Sequence, residues 1–205
     1  MAKIQGVVLA GGQSRRFGSP KAFAKRDGIP FYRYAIEAIK PFSSSIVIVT
    51  NTELHRNFKE VESNAITIIN DTTEYQGQGP LAGIYTAMHF QKADWYMVTP
   101  IDVPFIESVI FQQLVPYTNS NVDAIIPIVA EKKQPLLALY RYRLKEDIQQ
   151  MLTNGKRSVH RLLENKRVMY IPLHSEHSFI NINRKSDYVK YVHHPIQNFY
   201  QEEFL

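Results

Sequence analysis

The run Leu9-Ala10-Gly11-Gly12-Gln13-Ser14-Arg15-Arg16-Phe17-Gly18-Ser19-Pro20-Lys21 is suited to handling phosphate. Glycine has no Cβ to keep backbone N–H groups away from an anion, and Arg15, Arg16 and Lys21 can neutralise a polyphosphate. A bare basic turn has the same composition. The spacing fits neither a Walker loop, because no Gly-Lys-Ser/Thr follows, nor the GxGxxG dinucleotide fingerprint.

Three further segments carry informative chemistry. Asp71 is the candidate base reader, because the two oxygens of a carboxylate can accept from N1–H and the N2 amino group of guanine, a donor pair adenine and cytosine lack. Asp102, in Thr99-Pro100-Ile101-Asp102-Val103-Pro104-Phe105, is the candidate metal ligand. Mg²⁺ takes hard oxygen donors and commonly one or two carboxylates plus substrate phosphates. Asn51 offers an amide to a base or ribose, and Gly79-Pro80 opens a helix whose first N–H groups face an adjoining ligand. Asn51 and Asp102 also read as turn formers, and Gly79-Pro80 as an ordinary helix start.

In the second half, the cations Lys156 and Arg157 and the amides Asn181 and Asn183 are candidates for a further ligand, and the segment before the last helix reads equally as an ordinary turn. The two-residue period of extended chain puts Asn181 and Asn183 on one side. His174, His177 and the pair His193-His194 lack a third ligand at convincing spacing, so a zinc site is not expected.

These residues need a frame that gathers loops. Short β-branched runs at Ile4–Leu9, Ser45–Val49, Ala65–Ile69 and Trp95–Thr99 read as strands. Between them, helices are expected from Pro30 to Ile39, with Tyr34, Ile36 and Ile39 on the buried face, and over Glu53–Lys59 and Pro80–Phe90. Near-continuous apolar strands alternating with helices predict a parallel sheet covered on both faces, a Rossmann-like α/β arrangement whose ligands sit beyond the carboxyl ends of the strands. After Asp102 the rhythm changes. A helix over Glu107–Val115 precedes strand-like runs at Ala124–Val129 and Pro135–Tyr142, which predict mixed or antiparallel pairing. Helices at Leu144–Leu152 and Ser158–Leu163, a strand at Val168–Ile171 and a helix at Lys185–Val192 complete the pattern.

The 205 residues carry a net charge of +5, 44% hydrophobic residues and no cysteine. That length and composition fit a folded chain with one core, and the missing cysteines exclude disulfides, thiolate metal sites and a cysteine nucleophile. A cytoplasmic location fits the lack of a signal or membrane-spanning run. Residues 1–60 hold ten lysines and arginines against four acids, an excess suited to an anionic ligand near the N-terminal segment and equally to a solvated face. No nucleic-acid-binding module is visible.

The first loop resembles the signature LAGGxSxRxGxxK of the molybdenum cofactor guanylyltransferases. The resemblance extends over roughly residues 4 to 192, through an acidic residue followed by GPLAG, the PxDxPF pattern at Pro100, Asp102, Pro104 and Phe105, and a late FxNIN stretch. The chain departs from the family at Ser19-Pro20, where an acidic residue often precedes the lysine, and at Arg184 to Asp187, which replaces TPED. Related cytidylyltransferases more often have alanine where this chain has Gly11, so Gly11 favours the guanylyl branch by leaving room for the larger base.

What the resemblance implies is one nucleotidyltransferase domain over 1–205, with about 1–105 handling GTP, about 106–192 the pterin, and 193–205 a tail. It implies transfer of GMP from GTP to molybdopterin or Mo-molybdopterin with Mg²⁺ as cofactor. Leu9, Ala10, Gly11, Gly12, Lys21, Asn51, Asp71, Gly79 and Asp102 would bind GTP, with Arg16, Lys21 and Asp102 catalytic. Gln134, Lys156, Arg157, Asn181 and Asn183 would bind the pterin, and other cofactor-biosynthesis proteins and acceptor molybdoenzymes would be partners. Another nucleotidyltransferase, acting with CTP or on a sugar phosphate, and a non-catalytic nucleotide-binding or cofactor-delivery protein are the alternatives.

Overall fold

The computed structural model describes residues 2–12, 14, 16–61 and 66–193. Among these, ten strands run in chain order: β1 (Ile4–Leu9), β2 (Lys25–Arg26), β3 (Ile29–Pro30), β4 (Ser45–Thr50), β5 (Thr67–Asn70), β6 (Trp95–Pro100), β7 (Ala124–Val129), β8 (Lys132–Lys133), β9 (Ala138–Arg141) and β10 (Val168–Pro172). The helices are α1 (Phe31–Ile39), α2 (Thr52–Val61), α3 (Pro80–Phe90), α4 (Ser108–Leu114), α5 (Lys145–Thr153), α6 (Val159–Leu163) and α7 (Lys185–Tyr188).

The central sheet has the order β10-β7-β9-β6-β1-β4-β5, with β8 attached to β7. β1 pairs in parallel with β4 and β6, β4 with β5, and β7 with β10, whereas β9 is antiparallel to both β6 and β7. The chain builds outward from β1 to β4 and β5, then returns through α3 to place β6 on the other flank of β1. Such a reversal opens a crevice at the carboxyl ends of the strands.

The two-residue period divides the apolar side chains between two layers. Val8, Ile48, Met97, Ile125 and Leu139 pack with α1, α2 and α4. Val7, Val47, Val49, Tyr96, Val98, Ile126 and Tyr140 pack with α3, α5 and α6. Burial on both faces accounts for the near-continuous apolar strands. α3 lies close on the sheet because position 83 has no side chain: a Cβ there would sit 2.7 Å from Leu9 Cδ2.

The doubly covered, mostly parallel sheet and the antiparallel pairing in the second half are as the sequence predicts. Several boundaries differ. Ala65 lies outside the described residues, and the strand expected from there begins at Thr67. The strand expected over Pro135–Tyr142 shrinks to β9 because Leu137 N–H bonds back to the Gln134 carbonyl and closes a turn. α4 ends at Leu114, where Pro116 lacks an N–H to continue it and a 3₁₀ turn follows. The last helix is α-helical only to Tyr188 and widens into a π turn over Val189–His193. Tyr34 is half-buried rather than part of the apolar face, with its hydroxyl donating to the Arg26 carbonyl at 2.8 Å. The tight β2–β3 hairpin was not anticipated. Its turn, Asp27-Gly28, has both residues at positive φ, the conformation two-residue hairpins favour.

Candidate active site

Each candidate loop leaves a strand at the same edge of the sheet. After β1, the Ala10 N–H continues the pairing onto the Val49 carbonyl at 2.8 Å, and the chain then leaves the sheet at Gly11. Ser14, at φ 47°, starts a turn in which its carbonyl accepts from the Phe17 and Gly18 N–H groups. Its hydroxyl accepts from the Lys21 N–H at 3.1 Å, which closes the loop on itself. Arg16 projects exposed from this turn; Gln13 and Arg15 lie outside the described residues.

Lys21 is the convergence point. Although charged, it is only 9% exposed, and its Nζ donates to Asn183 Oδ1 at 3.0 Å and lies 3.5 Å from Asp102 Oδ2. Asp102 is presented by its neighbours: Ile101 and Val103 are buried in the α1/α4 layer, which leaves the carboxylate between them turned outward. The Asp102 carbonyl in turn accepts from the Ile182 N–H at 2.8 Å, so the C-terminal segment is fastened directly to the metal-candidate loop.

Asp71 stands across the crevice. Gly11 and Gly83 face its two oxygens, and a Cβ on Gly11 would lie 3.5 Å from Oδ2 and fill the space over the carboxylate. Burial raises the Asp71 pKa above the ordinary aspartate value, against a smaller lowering by the hydrogen bond from the Gly77 backbone. Gly79, at φ 84°, turns the chain into α3 with Pro80 in the first turn. The Asn51 side chain is engaged locally. Its Oδ1 accepts from Leu54 N–H at 2.9 Å as the cap of α2, and its Nδ2 donates to the Gly11 carbonyl at 3.3 Å. Asn51 therefore ties two of the loops together and lines a cleft of about 280 Å³ with Gly12, Ser14, Gly18 and Leu54.

The second-half candidates fall at this edge by topology. Ala138 is opposite Val98, so Gln134 extends past the carboxyl end of β6, on the side of Asp102. α5 returns along the sheet until the Thr153 hydroxyl meets the Tyr75 hydroxyl at 2.9 Å, which sets exposed Lys156 and Arg157 beside the loop between Asp71 and α3. Asn183 reaches Lys21. Asn181 does not: it is exposed, and its amide donates to the Phe179 carbonyl at 3.4 Å. Among the described residues no hydrogen bond or ion pair joins Gln134, Lys156, Arg157 or Arg16 to Lys21 or Asp102.

Two contributors lie outside the candidate site residues that the sequence pattern singles out. Ser14 lies within the glycine motif and closes it; a hydroxyl seven residues before the lysine was its signal. Arg26 contacts the loop that carries Asp102, and that contact spans 78 positions, beyond the reach of local patterning.

Comparison with known proteins identifies the family. Residues 6–169 match the MobA-like NTP transferase domain. A probable molybdenum cofactor guanylyltransferase of Bacillus cereus strain Q1 is 37% identical over 194 residues, 93% of this chain and 96% of that protein. Another, from B. cereus strain B4264, is 38% identical over 192 residues, 92% and 95% of the respective chains. Molybdopterin-guanine dinucleotide biosynthesis protein A from Archaeoglobus fulgidus superposes with a TM-score of 0.77 at 26% identity, covering 92% of this chain and 97% of that one. By sequence match over most of its length and by fold, the chain belongs to the MobA-like NTP transferase family.

Proposed function

We propose that the chain transfers GMP from GTP to molybdopterin, giving the guanine dinucleotide form of the cofactor and pyrophosphate. The observation that carries the reading is the meeting of Lys21, Asp102 and Asn183 at one point of the crevice, with Asp71 across from it. The names of the relatives supply the substrate pair.

The terminal phosphate of the pterin is already anionic. One of its oxygens forms a bond to the α-phosphorus while the bond from that phosphorus to the β-phosphate oxygen breaks, and pyrophosphate departs with the electron pair. No covalent enzyme intermediate is required, so catalysis rests on alignment and charge. Lys21, held by Asn183, neutralises charge on the transferred and leaving phosphates, and Arg16 on the exposed turn approaches the same polyphosphate; Arg15 lies outside the described residues. Asp102 fits a Mg²⁺ ligand: its carboxylate is partly exposed, and Lys21 is a loose 3.5 Å away. A single protein carboxylate completed by phosphate oxygens and water is the usual way to hold this ion. Mg²⁺, when bound, supplies charge neutralisation at the phosphate oxygens.

In this reading residues up to about 105 hold GTP. Gln134, Lys156, Arg157, Asn181 and Asn183 line the pterin side, and proteins of cofactor biosynthesis and acceptor molybdoenzymes provide and receive the pterin in the cytoplasm. Among the described residues no helix is long and apolar enough to cross a membrane.

Asp71→Asn tests the base reader. Replacing one acceptor oxygen by an NH₂ weakens GTP more than ITP, which lacks the N2 amino group. The expected excess is about tenfold or more, as roughly 1.5–3 kcal/mol attaches to a hydrogen bond with an ionised partner. Equal losses would give Asp71 another role. Because burial holds its pKa above the ordinary value, acidification protonates Asp71 earlier than a free aspartate, and GTP affinity falls as the pH drops through that raised pKa. Titration of GTP against pH should show this loss in the wild type and not in Asp71→Asn.

The reaction itself is tested by pyrophosphate release from GTP, CTP or ATP with Mg²⁺, with and without molybdopterin. Pterin-dependent release from GTP alone is expected. Preference for CTP would move the chain to the cytidylyl branch, and no release from any nucleotide would overturn the reading.

A further inference from the structure

Between Lys21 and α1 the chain makes the small β2–β3 hairpin, and from it Arg26 reaches the Asp102 loop. Its Nη1 donates to the Pro104 carbonyl at 2.5 Å. The guanidinium carbon Cζ lies 4.0 Å from the ring centroid of Tyr34 and 4.8 Å from that of Phe105, and Nε pairs with Asp27 at 3.2 Å. The hairpin is anchored independently, by the Tyr34 hydroxyl on the Arg26 carbonyl and the Tyr188 hydroxyl on the Lys25 carbonyl at 2.5 Å. Arg26 thus connects a fixed support, a hairpin that begins four residues after Lys21, to a carbonyl two residues from Asp102.

We propose that Arg26 is a positioning residue that fixes the Asp102 loop relative to Lys21 by clamping Pro104 and Phe105 to the β2–β3 hairpin. The inference rests on the function proposed above for Lys21 and Asp102 and adds a residue that touches neither nucleotide nor pterin. A lone surface arginine with a nearby acid contributes little. Here the guanidinium is used twice, as a donor to a backbone carbonyl and as a cation close to two aromatic rings, while its Nε also pairs with Asp27, a set of contacts a compact ammonium reproduces only in part. The consequence is geometric: small misplacements of a catalytic group cost rate far more than they cost substrate affinity.

The test compares the full chain with Arg26→Met and Arg26→Lys. In Arg26→Met, kcat for GMP transfer should fall about tenfold to a hundredfold while KM for GTP moves by no more than about threefold. The Mg²⁺ concentration for half-maximal rate should rise, and Arg26→Lys, retaining charge and one donor, should recover part of the loss. A second readout needs no activity: amide hydrogen exchange over residues 101–106, without nucleotide, should accelerate about tenfold or more in Arg26→Met while β1 and β9 keep their protection. If the Met variant does not fold, the Lys variant carries both measurements.

Unchanged protection of 101–106, accelerated exchange across the whole sheet, or accelerated exchange with unaltered kcat and Mg²⁺ dependence would each overturn the proposal. A wild-type chain that transfers no GMP would overturn the functional reading instead, and the exchange experiment would still decide whether Arg26 holds the loop.

Discussion

Asp102→Asn lowers pterin-dependent pyrophosphate release by about a thousandfold, at the upper end of what loss of one preorganised electrostatic group costs. The substitution keeps the shape of the side chain and removes its charge. The backbone bond from Ile182 to the residue-102 carbonyl and the buried anchors Ile101 and Val103 do not depend on that charge, so the fold should survive with little change in melting temperature. Single-turnover assays over a range of Mg²⁺ concentrations separate the two ways of failing. A rate restored by excess metal would mean that Asp102 contributes affinity alone, whereas full turnover at ordinary Mg²⁺ would remove Asp102 from the mechanism.

The second large effect is expected at Lys21. Lys21→Met preserves much of the length and apolar stem while deleting the ammonium, and kcat/KM for GTP should drop by roughly a hundredfold to a thousandfold. Lys21→Arg should rescue little. The lysine is nearly buried between Asn183 and Asp102, and a planar fork cannot take the place of a compact ammonium there. Loss confined to KM with normal kcat would indicate simple phosphate binding rather than stabilisation of charge developing in the transition state.

Much of this arrangement is legible in the chain because parallel strands announce themselves. Val7-Val8, Ile46 to Val49 and Tyr96 to Val98 are apolar on consecutive positions, short and largely β-branched, as strands of a doubly covered sheet are, and the loops after such strands form one edge. That logic alone places Gly11, Asn51, Asp71 and Asp102 together. It does not reveal what a side chain already bonds. Asn51 caps α2 and bridges to Gly11, and Asn181 turns to its own backbone, because local hydrogen bonds compete with ligands for amides. Contacts formed across the chain were out of reach as well. Arg26 on Pro104 and Asn183 on Lys21 depend on tertiary docking that no periodicity encodes. The shortening of the Pro135–Tyr142 strand follows from a turn hydrogen bond, Leu137 to Gln134, that its apolar composition conceals.

The bond between Lys21 and Asn183 joins positions 162 residues apart, and the Ile182 link to Asp102 belongs to the same docking. Contacts of such sequence separation form slowly, because a long stretch of chain must be ordered before they contribute. Synthesis runs from the N-terminus, so the glycine loop, β1 and β6 emerge and can pair while the segment that steadies the lysine is still to be made. The nascent chain therefore passes through a stage with a partly assembled sheet and a Lys21 that still lacks its Asn183 partner. If Lys21 and Asp102 act as proposed, turnover begins only once that late segment has folded back.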